Sequence, residues 1–143
     1  MKSRARVLAG QAALFVLVPV VVAGLARGGQ RWLGLDGPVI AALWPLALSV
    51  LGPALSAWNR RVSARVAVGV PLLSVLASHV LVWAYVAVAT RADPVCSGPH
   101  SPCEGVGIFL AFYVFYAAAT LAAAAVLAGV IRGIATLVAR AAA

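Results

Sequence analysis

The chain has 143 residues, 64% of them hydrophobic and only 10% charged, with a mean hydropathy of +1.06. A soluble domain is about 45–50% apolar and about a quarter charged, so this chain lacks the polar atoms to coat a water-facing globule, and lipid must replace much of the water. Its net charge of +8 comes from eleven Lys and Arg against three acids. These residues stand at the ends of apolar runs and not on a polar face, which argues against a nucleic-acid footprint and for membrane orientation.

The length fits one domain. A helix needs about 20 mostly apolar residues to cross a bilayer. The first such run is 7–26, which has no charge and contains Pro19. Lys2, Arg4 and Arg6 ahead of it, with Gly24-Leu25-Ala26 behind it, resemble a secretory signal. Its apolar stretch exceeds the about 7–15 residues of such a signal, so a retained helix is expected. Gly24 and Gly28 have the Gly-x-x-x-Gly spacing that lets helices approach closely in lipid.

Residues 27–37 read as a first outer loop holding Arg27, Arg31, Trp32 and Asp36, and 38–58 as a second span containing Pro45 and Pro53. Membrane helices tolerate such prolines because neighbouring groups take up the freed backbone hydrogen bonds. The inner loop 59–65 carries Arg60, Arg61 and Arg65 and is short enough to make spans two and three antiparallel neighbours.

The third span, 66–90, has Pro71 in its first two turns, where a proline costs less. It also holds His79, the one ionisable side chain inside any apolar run. Such a residue is costly in lipid and so is a candidate functional site. Ser74, Ser78, Trp83 and Tyr85 lie on or beside the same helix face. The plain expectation is a neutral imidazole hydrogen-bonded across a helix interface; the sharper one is a proton relay, a ligand anchor or a haem ligand. A second His on a facing helix, which a bis-histidine haem needs, is missing.

Residues 91–105 form the second outer loop and hold both cysteines, Cys96 and Cys103, with His100 between them. In an oxidising compartment this pair is expected to close a structural disulfide, which for so short a loop stabilises by about 2–3 kcal/mol in the chain-entropy model. Cys96, His100 and Cys103 are also a weak candidate set for copper(I) or zinc, one ligand short of a closed zinc site. Four spans with outer-face cysteines resemble the bacterial disulfide-generating membrane proteins and the vitamin K epoxide reductases, which use a quinone. The resemblance covers topology and this one pair. Their Cys-x-x-Cys and their second cysteine pair have no counterpart here.

The fourth span, 106–131, carries Phe109, Phe112, Tyr113 and Tyr116 at i, i+3, i+4 and i+7. This candidate aromatic pocket for a quinone or lipid competes with an interfacial aromatic belt, the stronger expectation near a span end. Ala118, Ala122 and Ala125 form a smooth strip, and Gly129 and Gly133 repeat the glycine spacing. Both glycine pairs are expected to pack within the chain. The tail 132–143 holds Arg132 and Arg140 and reads as a helical extension at lipid headgroups.

These runs are continuously apolar, unlike the alternating segments of a membrane β-barrel. The expected fold is therefore all-α, an integral membrane up-down bundle of four transmembrane helices. With both termini inside, inner segments hold eight basic residues and outer segments three, which fits the positive-inside rule. Ten of the eleven basic residues are Arg, and Ala, Val, Gly and Leu abound, a usage that suits the inner membrane of a GC-rich bacterium.

No nucleophile-and-base set or phosphate loop is present, so no catalytic residue or cofactor is expected, and the question of enzyme activity stays open while leaning against one. The spans contain no Asp, Glu, Lys or Arg. Small multidrug exporters depend on a Glu in their first span, and residues 7–26 have none, which argues against coupled transport. The leading expectation is an accessory or self-associating membrane protein whose partners are the bilayer, another membrane protein or copies of itself. An oligomeric channel or carrier using His79 and the Ser74/Ser78 stripe is the first alternative. A redox or lipid-linked enzyme using the cysteine loop is the second.

Overall fold

In the computed structural model the backbone is described for residues 2–33, 37–59, 62–92 and 104–142, and the side chains for 3–25, 41–59, 62–88 and 111–142. Four helices make up the regular structure of these residues: α1 (Lys2–Leu33), α2 (Gly37–Ala57), α3 (Ala64–Ala92) and α4 (Glu104–Ala141). Among the described residues there is no strand. The chain is an all-α bundle. Three stretches, Ser3–Leu25, Ala64–Val88 and Ala111–Ala141, are long and apolar enough to cross a membrane, and α2 contributes the shorter apolar stretch Ala41–Ala57.

The helices outrun the apolar segments. The 32 residues of α1 rise about 48 Å and the 38 of α4 about 57 Å at about 1.5 Å per residue, against a hydrocarbon thickness of about 30 Å. The α1 helix continues through residues 27–33, and α4 continues ten residues past Ile131. Ala, Ile, Leu and Val dominate that extension and no proline stops it, so the backbone has no reason to leave the helix.

Each helix buries one stripe. In α1 it is Val7, Gln11 and Val18, with Leu14, Phe15 and Val22 half-buried; in α3 it is Ala67, Pro71, Val75, Ser78, His79, Val82 and Val86. In α4, Tyr113, Thr120, Ala124, Ala128 and Ala135 are buried. These steps of three, four or seven residues are the helical repeat. The remaining faces expose Val20, Leu25, Leu73, Val88, Phe115 and Leu137, at 64–74% except Leu137 at 63%. That much apolar surface is stable only against lipid or other apolar helices.

Neighbouring helices run antiparallel. Gln11 near the start of α1 bonds Gly52 near the end of α2, and Ser56 of α2 bonds Ala67 near the start of α3. The four are not a square. α2 and α3 each touch all three other helices, whereas α1 and α4 do not touch each other among the described residues. The section is a diamond, with α2 and α3 across its short diagonal and α1 and α4 at opposite corners. Val18, Leu48, Val75 and Ala124, one from each helix, form the buried centre.

Three prolines lie on buried stripes. Pro45, Pro53 and Pro71 are all fully buried. A proline has no N–H, so Pro71 leaves the carbonyl of Ala67 without its donor from the next turn. Ser56 supplies one: its hydroxyl lies 2.8 Å from the Ala67 carbonyl and 3.0 Å from the Gly52 carbonyl. This is how a membrane helix accommodates a proline, by borrowing a donor from its neighbour. Ser56→Ala is expected to cost about 1–2 kcal/mol. In a Pro71→Ala background, where α3 supplies its own donor, the loss is expected to fall to less than half. A double-mutant cycle of unfolding free energies checks this, and strictly additive losses would refute the pairing.

The turn between α2 and α3 is tied down by α4. The Asn59 N–H bonds the Ser56 carbonyl, and the Val62 N–H bonds the Asn59 carbonyl. Arg132 then places one guanidinium nitrogen 2.9 Å from the Asn59 carbonyl and the other 2.7 Å from the Val62 carbonyl. The planar fork of Arg suits two acceptors at once. Arg4, Arg6, Arg65 and Arg140 lie at this same end of the bundle, on helix segments placed there by the antiparallel order.

One packing expectation is overturned. Among the described residues, a methyl group added at Gly24, Gly129 or Gly133 would meet nothing within 4 Å, and the surroundings of Gly28 lie outside them. These glycines do not bring two helices of the chain together. The close approaches are instead at Gly10, where an added methyl would come within 2.7 Å of Leu55, and at Gly52. The glycine spacing reported smoothness, but the helix rotates that face away from the bundle.

Candidate functional site

His79 sits near the middle of α3 and is 4% exposed. Opposite it, α4 presents Tyr113 and Thr120, two turns apart on one face, with Tyr116 between them. The imidazole enters that gap. Its Nδ1 lies 3.0 Å from the Tyr113 hydroxyl and its Nε2 lies 2.6 Å from the Thr120 hydroxyl. The Thr120 hydroxyl lies 3.0 Å from the Ala117 carbonyl and 3.1 Å from that of Tyr116. When Thr120 donates its proton there, its oxygen accepts the Nε2–H of His79, while Nδ1 accepts the Tyr113 O–H. A neutral imidazole, with one donor and one acceptor, is then satisfied at both nitrogens.

Aromatic rings close the cluster. His79 meets Tyr113 and Tyr116 edge-on at centroid separations of 5.4 and 5.5 Å, within the range that aromatic pairs favour. The Tyr116 hydroxyl donates to the Ala42 carbonyl of α2. The cluster thus joins α3, α4 and α2 through groups that are scarce elsewhere in the chain. Buried polar networks of this kind stabilise a single arrangement when every member is paired.

The other polar groups expected to share this face do something different. Ser74 donates to the Val70 carbonyl at 3.0 Å and Ser78 to the Val75 carbonyl at 2.7 Å, both within α3. Trp83 is 49% exposed and Tyr85 58%. Trp83 and His79 flank a 220 Å³ groove between α3 and α4 that also involves Val80, Tyr113, Val114 and Ala117. Tyr85 borders a larger cavity on the α1 side. The aromatic stripe divides: Tyr113 is buried and Tyr116 half-buried, while Phe112 is 67% exposed. Adjacent helical residues are about 100° apart, so positions 112 and 113 cannot both face the bundle centre. The Phe109 side chain lies outside the described residues, as do Cys96, His100 and Cys103. Among the described residues no three His, Cys, Asp or Glu side chains gather as metal ligands.

Two participants are missing from the sequence-based candidates. Thr120 is one; its signal is the seven-residue spacing from Tyr113, which puts a hydroxyl two turns along the same face. Gln11 is the other. Only 2% exposed, it donates from Nε2 to the Gly52 carbonyl at 2.7 Å, while its Oε1 is buried without a partner among the described residues. An amide inside an apolar run is costly enough to be a signal in itself. No family model, curated protein or solved structure matches the chain.

Proposed function

We propose that this is a four-span protein of a bacterial inner membrane, with both termini cytoplasmic, that acts by associating with other membrane helices, first of all a second copy of itself. The observation that carries the reading is the outer face of α4. Among the described residues, a methyl group added at Gly129 or Gly133, four residues apart, meets nothing within 4 Å, on a helix that stands at a corner of the diamond and there does not touch α1. A glycine inside a helix costs about 1 kcal/mol relative to alanine. Nothing among the described residues offsets that cost at Gly129 or Gly133, whereas close approach by a helix from another subunit does.

Ala122 and Val126 are exposed along the same helix and extend the smooth surface. The basic residues, eight against three, favour cytoplasmic termini. On the opposite side of the membrane the Cys96–Cys103 pair is assigned as a structural disulfide. The polar side chains of the spans support an associative role too. Those of His79, Thr120 and Ser56 are engaged in holding this chain's own helices together.

Gly129→Ile with Gly133→Ile is expected to lower self-association in lipid at least tenfold, measured by dilution of donor- and acceptor-labelled protein in vesicles. The unfolding free energy of the separate chain should stay within about 0.5 kcal/mol, as for surface changes away from packed groups. A wild-type protein that is monomeric at every dilution, or a variant that associates equally well, refutes this interface.

A further inference from the structure

The α4 face that holds Gly129 and Gly133 also holds Arg140. At about 100° per residue, Arg140 projects between the two glycines, about 20° from each. Ala122 and Thr136 fall in the same stripe, and all of these residues are exposed, whereas Ala124, Ala128 and Ala135 bury the other side of the helix. Arg140 lies in the last turn of α4, at the end of the apolar stretch Ala111–Ala141. Ile134, Leu137 and Val138 around it are exposed, and apolar side chains of this kind keep the segment against lipid. Helical side chains lean toward the N-terminus of their helix, which for α4 is back toward the bilayer. The Arg140 guanidinium therefore reaches the headgroup layer on its apolar stem.

Two copies inserted in the same direction are related by a two-fold axis along the membrane normal, so each residue of a shared face meets its own copy near that axis. Helices with this glycine spacing cross at about 40°, which separates their axes by roughly 12 Å at the level of Arg140. That gap holds two guanidinium groups with one small anion between them. The chain supplies no acidic side chain to fill it. The one acid of α4, Glu104, stands at the opposite end of the helix. The sequence segments 2–11 and 59–66, which belong to the same end of the bundle as Arg140, contain Lys2, Arg4, Arg6, Arg60, Arg61 and Arg65 and no acid. A second copy brings only more positive charge. Two cations facing each other at the edge of a low-dielectric medium repel, so the closed interface needs an anion from outside. The planar guanidinium fork matches the oxygens of a phosphate group.

We infer that, where α4 pairs with its copy as proposed above, the two Arg140 side chains hold one phosphate group between them, so that self-association is coupled to anionic phosphate at the membrane surface. The headgroup of an anionic phospholipid and free inorganic phosphate both carry this group. Phosphatidylcholine does not serve, because its own choline cation offsets the charge.

The test is dilution of donor- and acceptor-labelled full-length protein in three vesicle preparations of equal ionic strength. These are phosphatidylcholine in chloride, phosphatidylcholine in inorganic phosphate, and phosphatidylcholine mixed with phosphatidylglycerol in chloride. Phosphatidylglycerol or inorganic phosphate is expected to strengthen wild-type association about tenfold over the first preparation, and the one that does so identifies the source. Arg140→Gln removes the repulsion and the anion site together, and should associate equally in all three. Arg4→Gln neutralises an exposed arginine on α1, at the opposite corner of the diamond, and should keep the wild-type response. A wild type that associates equally in all three overturns the phosphate site and leaves the α4 interface standing. So does a response that survives Arg140→Gln, or one that Arg4→Gln abolishes as well. Absence of association in every preparation refutes the interface itself, and the site with it.

Discussion

Replacing His79 with alanine is expected to destabilise the bundle by about 3–4 kcal/mol. Two contributions add. The substitution removes hydrogen bonds to Tyr113 and Thr120 at 3.0 and 2.6 Å, and bonds between membrane helices are worth on average about 0.6 kcal/mol and at most about 1.7. It also empties the space of an imidazole that is 4% exposed and flanked by two tyrosine rings, and cavities of this kind cost about 2 kcal/mol or more. His79→Leu separates the two contributions, since it refills much of the volume without the nitrogens. It should recover about half of the loss. Unfolding free energies from denaturant titration in mixed micelles are the measurement. An alanine variant within about 1 kcal/mol of the parent would mean that the cluster does not hold α3 to α4.

The second large effect is expected at Gly52, where three helices meet. An added methyl there would lie 3.3 Å from Gln11 Oε1 and 3.3 Å from Cβ of Pro71. The Gln11 side chain can give way, but the proline ring is fixed to its backbone. Gly52→Ala should therefore be nearly neutral, its strain offset by the about 1 kcal/mol that alanine gains over glycine in a helix. Gly52→Val adds two further carbon atoms with no room for them. It also displaces the amide that donates to the Gly52 carbonyl at 2.7 Å. Overpacking at about 1–3 kcal/mol and loss of that bond together predict about 2–4 kcal/mol. Gly133→Val is the control, because an added methyl at Gly133 meets nothing within 4 Å among the described residues. Equal losses at the two sites would contradict this assignment of the close contact.

How much of this was legible before the structure depends on the length scale of each signal. Long uncharged runs specify helices, because lipid leaves the backbone no other way to pair its polar groups. The helical architecture could therefore be read from composition. Helix ends could not, since apolarity marks the lipid-facing length and the helix continues wherever the backbone allows. The site was half legible. A buried histidine is conspicuous among residues that cannot ionise, but its partners depend on how α3 and α4 are rotated about their axes. Thr120 and Tyr113 could have been found from their spacing, as could the outward placing of Phe112 beside an inward Tyr113. The empty surroundings of Gly129 and Gly133 were not legible, because a smooth strip has the same sequence whichever way it faces. Nor was the buried indole N–H of Trp44, which has no acceptor among the described residues and depends on every group around it.

The borrowed donor at Pro71 has a consequence for how the chain is made. Until Ser56 reaches the Ala67 carbonyl, α3 carries an unpaired peptide group that hydrocarbon penalises by several kcal/mol. The two residues are eleven apart in sequence and are brought together by one tight turn. A single early closure therefore removes the penalty. The α2–α3 pair is the smallest unit in which the Ala67 carbonyl has a donor in place of the one Pro71 lacks. Arg132 adds its two bonds to the turn only when α4 packs beside that pair, so the carbonyls of Asn59 and Val62 tie the last helix to the first pair closed.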